Sequence, residues 1–198
     1  MLIKNFLISF FCLIFLFLFN SSKAEHHAKG EKITPSWMVV DNGNKLVTFT
    51  LTSAYNGNNG SWNYNGFYNG SVNLVVPQGW NVNLKFVNPD GNYRHSVAVI
   101  KMWDGDNVPQ EADESLVAIA RAYSLSPAQG CLSCNEDVKF KAKNRDDYTV
   151  GKYSAFCGVP GHGGSGMWLG FSVKDGIDTP FVLFDKSAMD EGYAKPLL

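Results

Sequence analysis

Phe156-Cys157-Gly158-Val159-Pro160-Gly161-His162-Gly163-Gly164-Ser165-Gly166-Met167-Trp168 decides how this chain is read. A thiolate, an imidazole and a thioether recur with four residues between each, and Gly and Pro, the residues of tight loops, fill the gaps. Soft sulfur beside imidazole suits copper, and one Cys, two His and a weak axial Met form the ligand set of blue-copper sites. The stretch holds a single His. The best candidate for the second is His95, in Tyr93-Arg94-His95-Ser96-Val97-Ala98-Val99-Ile100, where an apolar run follows the imidazole.

The spacing of Cys157, His162 and Met167, with His95 upstream, resembles the cupredoxins, and within them the rusticyanin and sulfocyanin branch. Phe156 to His162 followed by Gly166-Met167-Trp168 is similar to sulfocyanin in particular. So is Asn63-Tyr64-Asn65-Gly66 leading through Gly70 to Val75-Val76-Pro77-Gln78-Gly79-Trp80. The resembling segments run from about residue 61 to 105 and from 150 to 174. The resemblance implies an all-β, cupredoxin-like Greek-key β-sandwich with one type 1 copper held by His95, Cys157, His162 and Met167. It also implies one-electron transfer between respiratory-chain partners, such as a cytochrome donor and a terminal oxidase or reductase acceptor. Many cupredoxins carry Asn after the first His; here Ser96 stands in that place, and its hydroxyl is a candidate tie between the His95 strand and the Cys157 loop.

The chain has 198 residues, length for one domain with a substantial core. A formal net charge of −1 gives no sign of a nucleic-acid or anionic-membrane partner. Residues 1–24 read as a targeting segment: Lys4 supplies a positive start, Phe6 to Phe19 is an apolar run, and Ser22-Lys23-Ala24 offers small residues for cleavage. The run is shorter than the roughly 20 residues a spanning helix needs, which favours a cleaved signal peptide. The resemblance favours an N-terminal membrane tether instead. Either places the domain in the periplasm or another extracytoplasmic space. Residues 25–35 are expected to form a flexible leader and residues 36–198 the copper-binding domain. Cleavage after Ala24 would leave Glu25-His26-His27 as a new N-terminus, whose amine, amides and imidazole suit a second, weaker Cu(II).

Export bears on the cysteines. Setting aside Cys12 in the apolar run, Cys131, Cys134 and Cys157 remain, and an oxidising compartment favours pairing two of them. Cys131 and Cys134 are near neighbours, and their pairing would leave Cys157 free. A short structural disulfide, separate from the metal loop, is the plainest reading of this pair; a second metal site or a thioredoxin-like redox role are the others.

Between these landmarks the pattern is mostly strand. Trp37 to Val40, Lys45 to Thr52, Val72 to Val76, Val82 to Asn88, Val97 to Met102, Val138 to Lys143, Asp147 to Ala155, Trp168 to Lys174 and Phe181 to Phe184 are expected strands. Tyr55 to Gly70, rich in Asn and Gly, carries too much aromatic area to leave in water and reads as an ordered loop. Val108 to Tyr123 is the one helix expected. Pro109 suits a first turn, Glu111, Asp113 and Glu114 suit its positive end, and Leu116, Val117, Ile119 and Ala120 offer an apolar face. His162 is expected to present an exposed edge, because its neighbours are small or apolar. Two other functions fit a copper ligand set: a copper store or delivery protein, which calls for Met- or His-rich tracts, and a nitrosocyanin-like copper enzyme, which calls for an open position where Met167 stands. Zinc suits Cys and His but not Met.

Overall fold

Alternating apolar and polar residues build the first sheet. The computed structural model describes residues 30–143 and 150–198. The targeting segment, Glu25-His26-His27 and the first residues of the strand expected from Asp147 lie outside the described residues. In chain order the strands are β1 (Glu31–Ile33), β2 (Met38–Asp41), β3 (Leu46–Thr52), β4 (Val72–Pro77) and β5 (Asn81–Asn88), then β6 (Ala98–Lys101), β7 (Cys134–Lys141), β8 (Gly151–Phe156), β9 (Trp168–Lys174) and β10 (Phe181–Phe184). Val47, Phe49 and Leu51 of β3 and Val82, Leu84 and Phe86 of β5 all point to one buried face, as a period of two requires.

Two sheets result. One has the order β2-β3-β5-β7, the other β1-β10-β4-β9-β8-β6. Consecutive strands β4 and β5 lie in different sheets, and the parallel pairs β3/β5 and β4/β9 join strands distant in the chain. The result is a β-sandwich, as the resemblance implies. β4 is buried along its whole length, between β10 and β9, which explains why Val72, Leu74, Val75 and Val76 are apolar on both faces, with Asn73 satisfied by Ser172.

The Asn-rich tract is ordered because its amides replace missing backbone partners. Asn63 accepts from the Tyr55 and Gly66 N–H groups and donates to the Asn56 and Asn58 carbonyls. Asn65 accepts from Thr52 N–H and donates to the Thr50 carbonyl. Both side chains are fully buried with these bonds made, as buried polar groups must be. The C-terminal segment closes over this tract: Asn58 and Ala194 exchange two hydrogen bonds, and Leu197 N–H donates to the Asn65 carbonyl while its own carbonyl accepts from Trp37 Nε1.

Two expectations need correction. The leader does not extend to residue 35, since Glu31–Ile33 pair with β10. The helix expected over Val108 to Tyr123 does not form; that segment holds only a single 3-10 turn, Glu114–Leu116, capped by the Asp113 carboxylate. Its backbone groups go to the β6 side instead. Ala118 N–H donates to the Val99 carbonyl, Val99 N–H to Ala122, and Ser124 N–H to Val97. β6 is an edge strand in need of such partners, and Val117 and Ile119 suit an extended chain.

The burial period tests this difference. Val117 and Ile119 are buried while Leu116 is 48% exposed, although a helix would place Leu116 and Ile119 on one face. Ile119→Ala is expected to destabilise by about 2 to 5 kcal/mol, and Leu116→Ala by less than about 0.5 kcal/mol, measured by denaturant unfolding. Equal losses would restore the helix.

Candidate metal centre

β8 delivers Cys157 at its end and β9 begins just after Met167, so the two strands fix both ends of the loop between them. The loop then bonds to itself. Cys157 N–H donates to the Met167 carbonyl, Met167 N–H to the His162 carbonyl, and His162 N–H to the Val159 carbonyl. Its glycines are demanded by close approach. A Cβ on Gly163 would lie 1.8 Å from the Phe156 ring, and one on Gly158 would lie 2.3 Å from the Ala112 carbonyl oxygen.

His95 comes from the turn before β6. Its backbone exchanges two hydrogen bonds with Cys131, of 3.1 and 2.9 Å. The ligand atoms of His95, Cys157 and His162 all lie within 4.8 Å of one another, with Cys157 Sγ 3.6 Å from His162 Nδ1. Met167 is fully buried and backbone-bonded to both Cys157 and His162. The structure thus brings the three expected His and Cys side chains together and fixes Met167 on the same loop.

Ser96 ties these parts. Its hydroxyl donates to the Pro127 carbonyl at 2.6 Å and accepts from Gly158 N–H at 2.9 Å, and its Oγ lies 3.9 Å from Cys157 Sγ. The buried Tyr64 hydroxyl donates to the Ser96 carbonyl. One residue therefore joins the His95 turn, the Cys157 loop, the 127 loop and the Asn-rich tract.

The donors are dry. His95 is 1% exposed, and neither of its ring nitrogens has a hydrogen-bond partner; Nε2 faces Asp90 Oδ2 at 3.6 Å, too long for a hydrogen bond. Asp90 is held by its other oxygen, which accepts from Asn92 and Tyr93 N–H. Burial lowers the His95 pKa against the opposing pull of Asp90. Burial, with His95 beside it, brings His162 down to about 4. Burial also pushes the Cys157 thiol up. Two neutral imidazoles and a sulfur, shielded from water and with both His95 nitrogens unspent, fit a soft, redox-active metal such as copper.

Sequence reading missed two neighbours. Asp90 is one. The other is Trp62, whose ring centroid lies 3.9 Å from that of His162. His162 is only 9% exposed as a result, so the bare edge expected from its small neighbours is not there. Trp62 gave no signal of its own, since an aromatic in an Asn-rich loop is first read as packing.

The cysteine pair also departs from expectation. Cys131 and Cys134 have Cα atoms 6.0 Å apart and sulfurs within bonding distance, but Cys134 opens β7 and Cys131 is hydrogen-bonded to His95. The pair therefore touches the candidate centre through His95. Glu136 also lies close to it, its carboxylate accepting from Leu125 N–H.

A family model described as the sulfocyanin (SoxE) domain matches residues 34–184. Sulfocyanin from Sulfolobus acidocaldarius is 24% identical over 148 residues, covering 72% of this chain and 70% of that protein. Two solved structures are more distantly similar. Reduced auracyanin from Roseiflexus castenholzii shares 19% identity over 64% of this chain and 96% of its own, with a TM-score of 0.43. Rusticyanin from Thiobacillus ferrooxidans shares 16% identity over 70% and 88%, with a TM-score of 0.39. With three quarters of its length matched by one family model, the chain belongs to the sulfocyanin (SoxE) domain family, a family of blue-copper electron-transfer cupredoxins.

Proposed function

We propose that this chain is an exported one-electron carrier, not an enzyme, in which His95, Cys157 and His162 would hold one copper ion with Met167 as a fourth, weaker ligand. The observation that carries this reading is the convergence of three buried donors within 4.8 Å of one another, in a site where both His95 nitrogens lack hydrogen-bond partners. Copper held there would supply a one-electron couple, Cu(II)/Cu(I), in a ligand set that suits both states. The residues supply the rest. Cys157 gives up its proton as metal binds, Ser96 and Tyr64 keep the loops in place, and the Asp90 carboxylate faces the outer nitrogen of His95, as outer-shell partners of ligand imidazoles do. Partners would be respiratory-chain redox proteins, a cytochrome donor and a terminal oxidase or reductase acceptor. The Cys131–Cys134 disulfide would brace His95 from outside.

Absorption and electron-spin resonance of copper-loaded protein test the reading. An intense thiolate-to-copper band is expected, and Cys157→Ser should abolish it while far-UV circular dichroism is unchanged. A colourless loaded protein would exclude a blue-copper centre. In voltammetry, Met167→Gln should lower the reduction potential and Met167→Leu should raise it; equal potentials in all three proteins would remove Met167 from the ligand set.

Removing the cysteine pair should cost about 2 kcal/mol, from the entropy of so short a loop. The disulfide ties the segment whose backbone holds His95 to the start of β7, so Cys131→Ser with Cys134→Ser should also shift the copper spectrum. An unchanged spectrum would return the pair to a purely structural role.

Acid should destabilise the metal-free protein. An imidazole in the unfolded chain takes its proton near pH 6.5, while buried His162 resists until about 4, and His95 is lowered too. Between those values the unfolded state binds more protons, so stability is complete above about pH 6.5 and falls as pH drops toward 4. Urea midpoints across that range check this, and His162→Gln should flatten the slope. Equal slopes in the two proteins would show that His162 takes its proton as readily folded as unfolded.

A further inference from the structure

Any electron reaching the centre must cross whatever lies between the donors and solvent. Cys157 and Met167 are fully buried, and His95 is nearly so. His162 is the least buried of the four, and Trp62 lies against it, ring centroids 3.9 Å apart and planes inclined by 37°. Trp62 also meets the His95 ring edge-on at 5.7 Å. It also meets Tyr93 edge-on at 5.5 Å, and Tyr93 is 57% exposed. The three rings His162, Trp62 and Tyr93 thus run from a candidate ligand to the surface without a gap.

Both outer rings are held by their backbones. Trp62 N–H donates to the Asn59 carbonyl, and Asn59 Nδ2 donates both to the Trp62 carbonyl and to the Ser165 carbonyl of the ligand loop. Tyr93 N–H donates to Asp90 Oδ1, and its carbonyl accepts from Asn88 Nδ2. The Asn-rich tract is therefore bolted to the ligand loop at the point where it carries the indole.

We propose that Trp62 is the port through which the electron passes between His162 and a redox partner, with Tyr93 as the outer rim of the contact. This rests on the copper reading above. Electron transfer through space weakens steeply with distance, and π-faces in van der Waals contact remove the gap that a partner would otherwise meet at a covered imidazole. With copper held by the donors, one electron would pass from the reduced molecule to the oxidised one across the two rings; neither ring would be oxidised on balance, and no proton would move. Rigid aromatic surface with few torsions to freeze also suits a small, brief redox contact. The fitting partner is a redox protein with its cofactor edge set in apolar surface, and a second copy of this chain meets that description.

Self-exchange between oxidised and reduced copper-loaded protein, followed by NMR line broadening, is the test. Its driving force is zero in every variant, so any change of potential cancels. Trp62→Leu should slow exchange about tenfold, the scale of losing one aromatic anchor of a protein contact, and Trp62→Phe should retain most of the rate. Tyr93→Ser, which leaves every ligand contact in place, should slow it about threefold. Val39→Ala, at an exposed apolar position on β2, should leave it unchanged. The port is overturned if Trp62→Leu keeps its blue band and exchanges at the wild-type rate. Should that variant lose its band, Tyr93→Ser decides, and an unchanged rate there overturns the port. A colourless wild type overturns the copper reading itself, and is told apart from either result by eye.

Discussion

A thiol and two imidazoles that are buried together have to be held by something other than their own attraction. Each prefers water, and burial, the largest cause in each case, moves all three away from their charged forms. The chain meets this constraint with a hydrogen-bonded frame around the donors, centred on Ser96. Its hydroxyl and carbonyl between them bind Pro127, Gly158 and Tyr64, and Cys131 fixes the backbone of His95 from the other side. The donors are thus placed by the scaffold before any metal arrives. A preorganised site changes little between two oxidation states, which is what one-electron traffic requires.

The strands were legible because their burial is simple. Lys45 to Thr52 and Val82 to Asn88 alternate, and the observed β3 and β5 bury the residues that the alternation points inward. The ligand loop was legible because Cys157, His162 and Met167 are close in sequence, held by local backbone bonds. His95 could be found only by its place before a strand. The segment over Val108 to Tyr123 misled because its composition satisfies a helix as well as an extended chain. What decided it was the unpaired edge of β6, a fact of tertiary structure. Trp62 and Asp90 were invisible because nothing in the spacing marks either one; the folding of their loops sets each against an imidazole.

The Asn-rich tract shows how polar residues can do the work of a core. Asn58, Asn63 and Asn65 are buried and bonded to main-chain groups, so the tract keeps one shape with no regular element longer than the 3-10 turn Asn58–Ser61. The C-terminal segment past residue 184, beyond the reach of the family match, packs on this same tract. Stability of the aromatic cover over the imidazoles is therefore shared between a loop near the middle of the chain and the chain's last residues.

The placement of β4 has a consequence for how the molecule comes into being. Its two neighbours, β9 and β10, are the last strands of the chain. On a ribosome, Val72 to Pro77 emerges long before either partner exists. An apolar strand waiting with both edges open invites pairing with the wrong chain, and contacts so far apart in sequence form slowly. Cys157 and His162 arrive in the same late stretch. The strands that cover β4 and the residues that complete the donor set therefore come from one stretch of chain, so an order of emergence that leaves β4 uncovered leaves the centre incomplete as well.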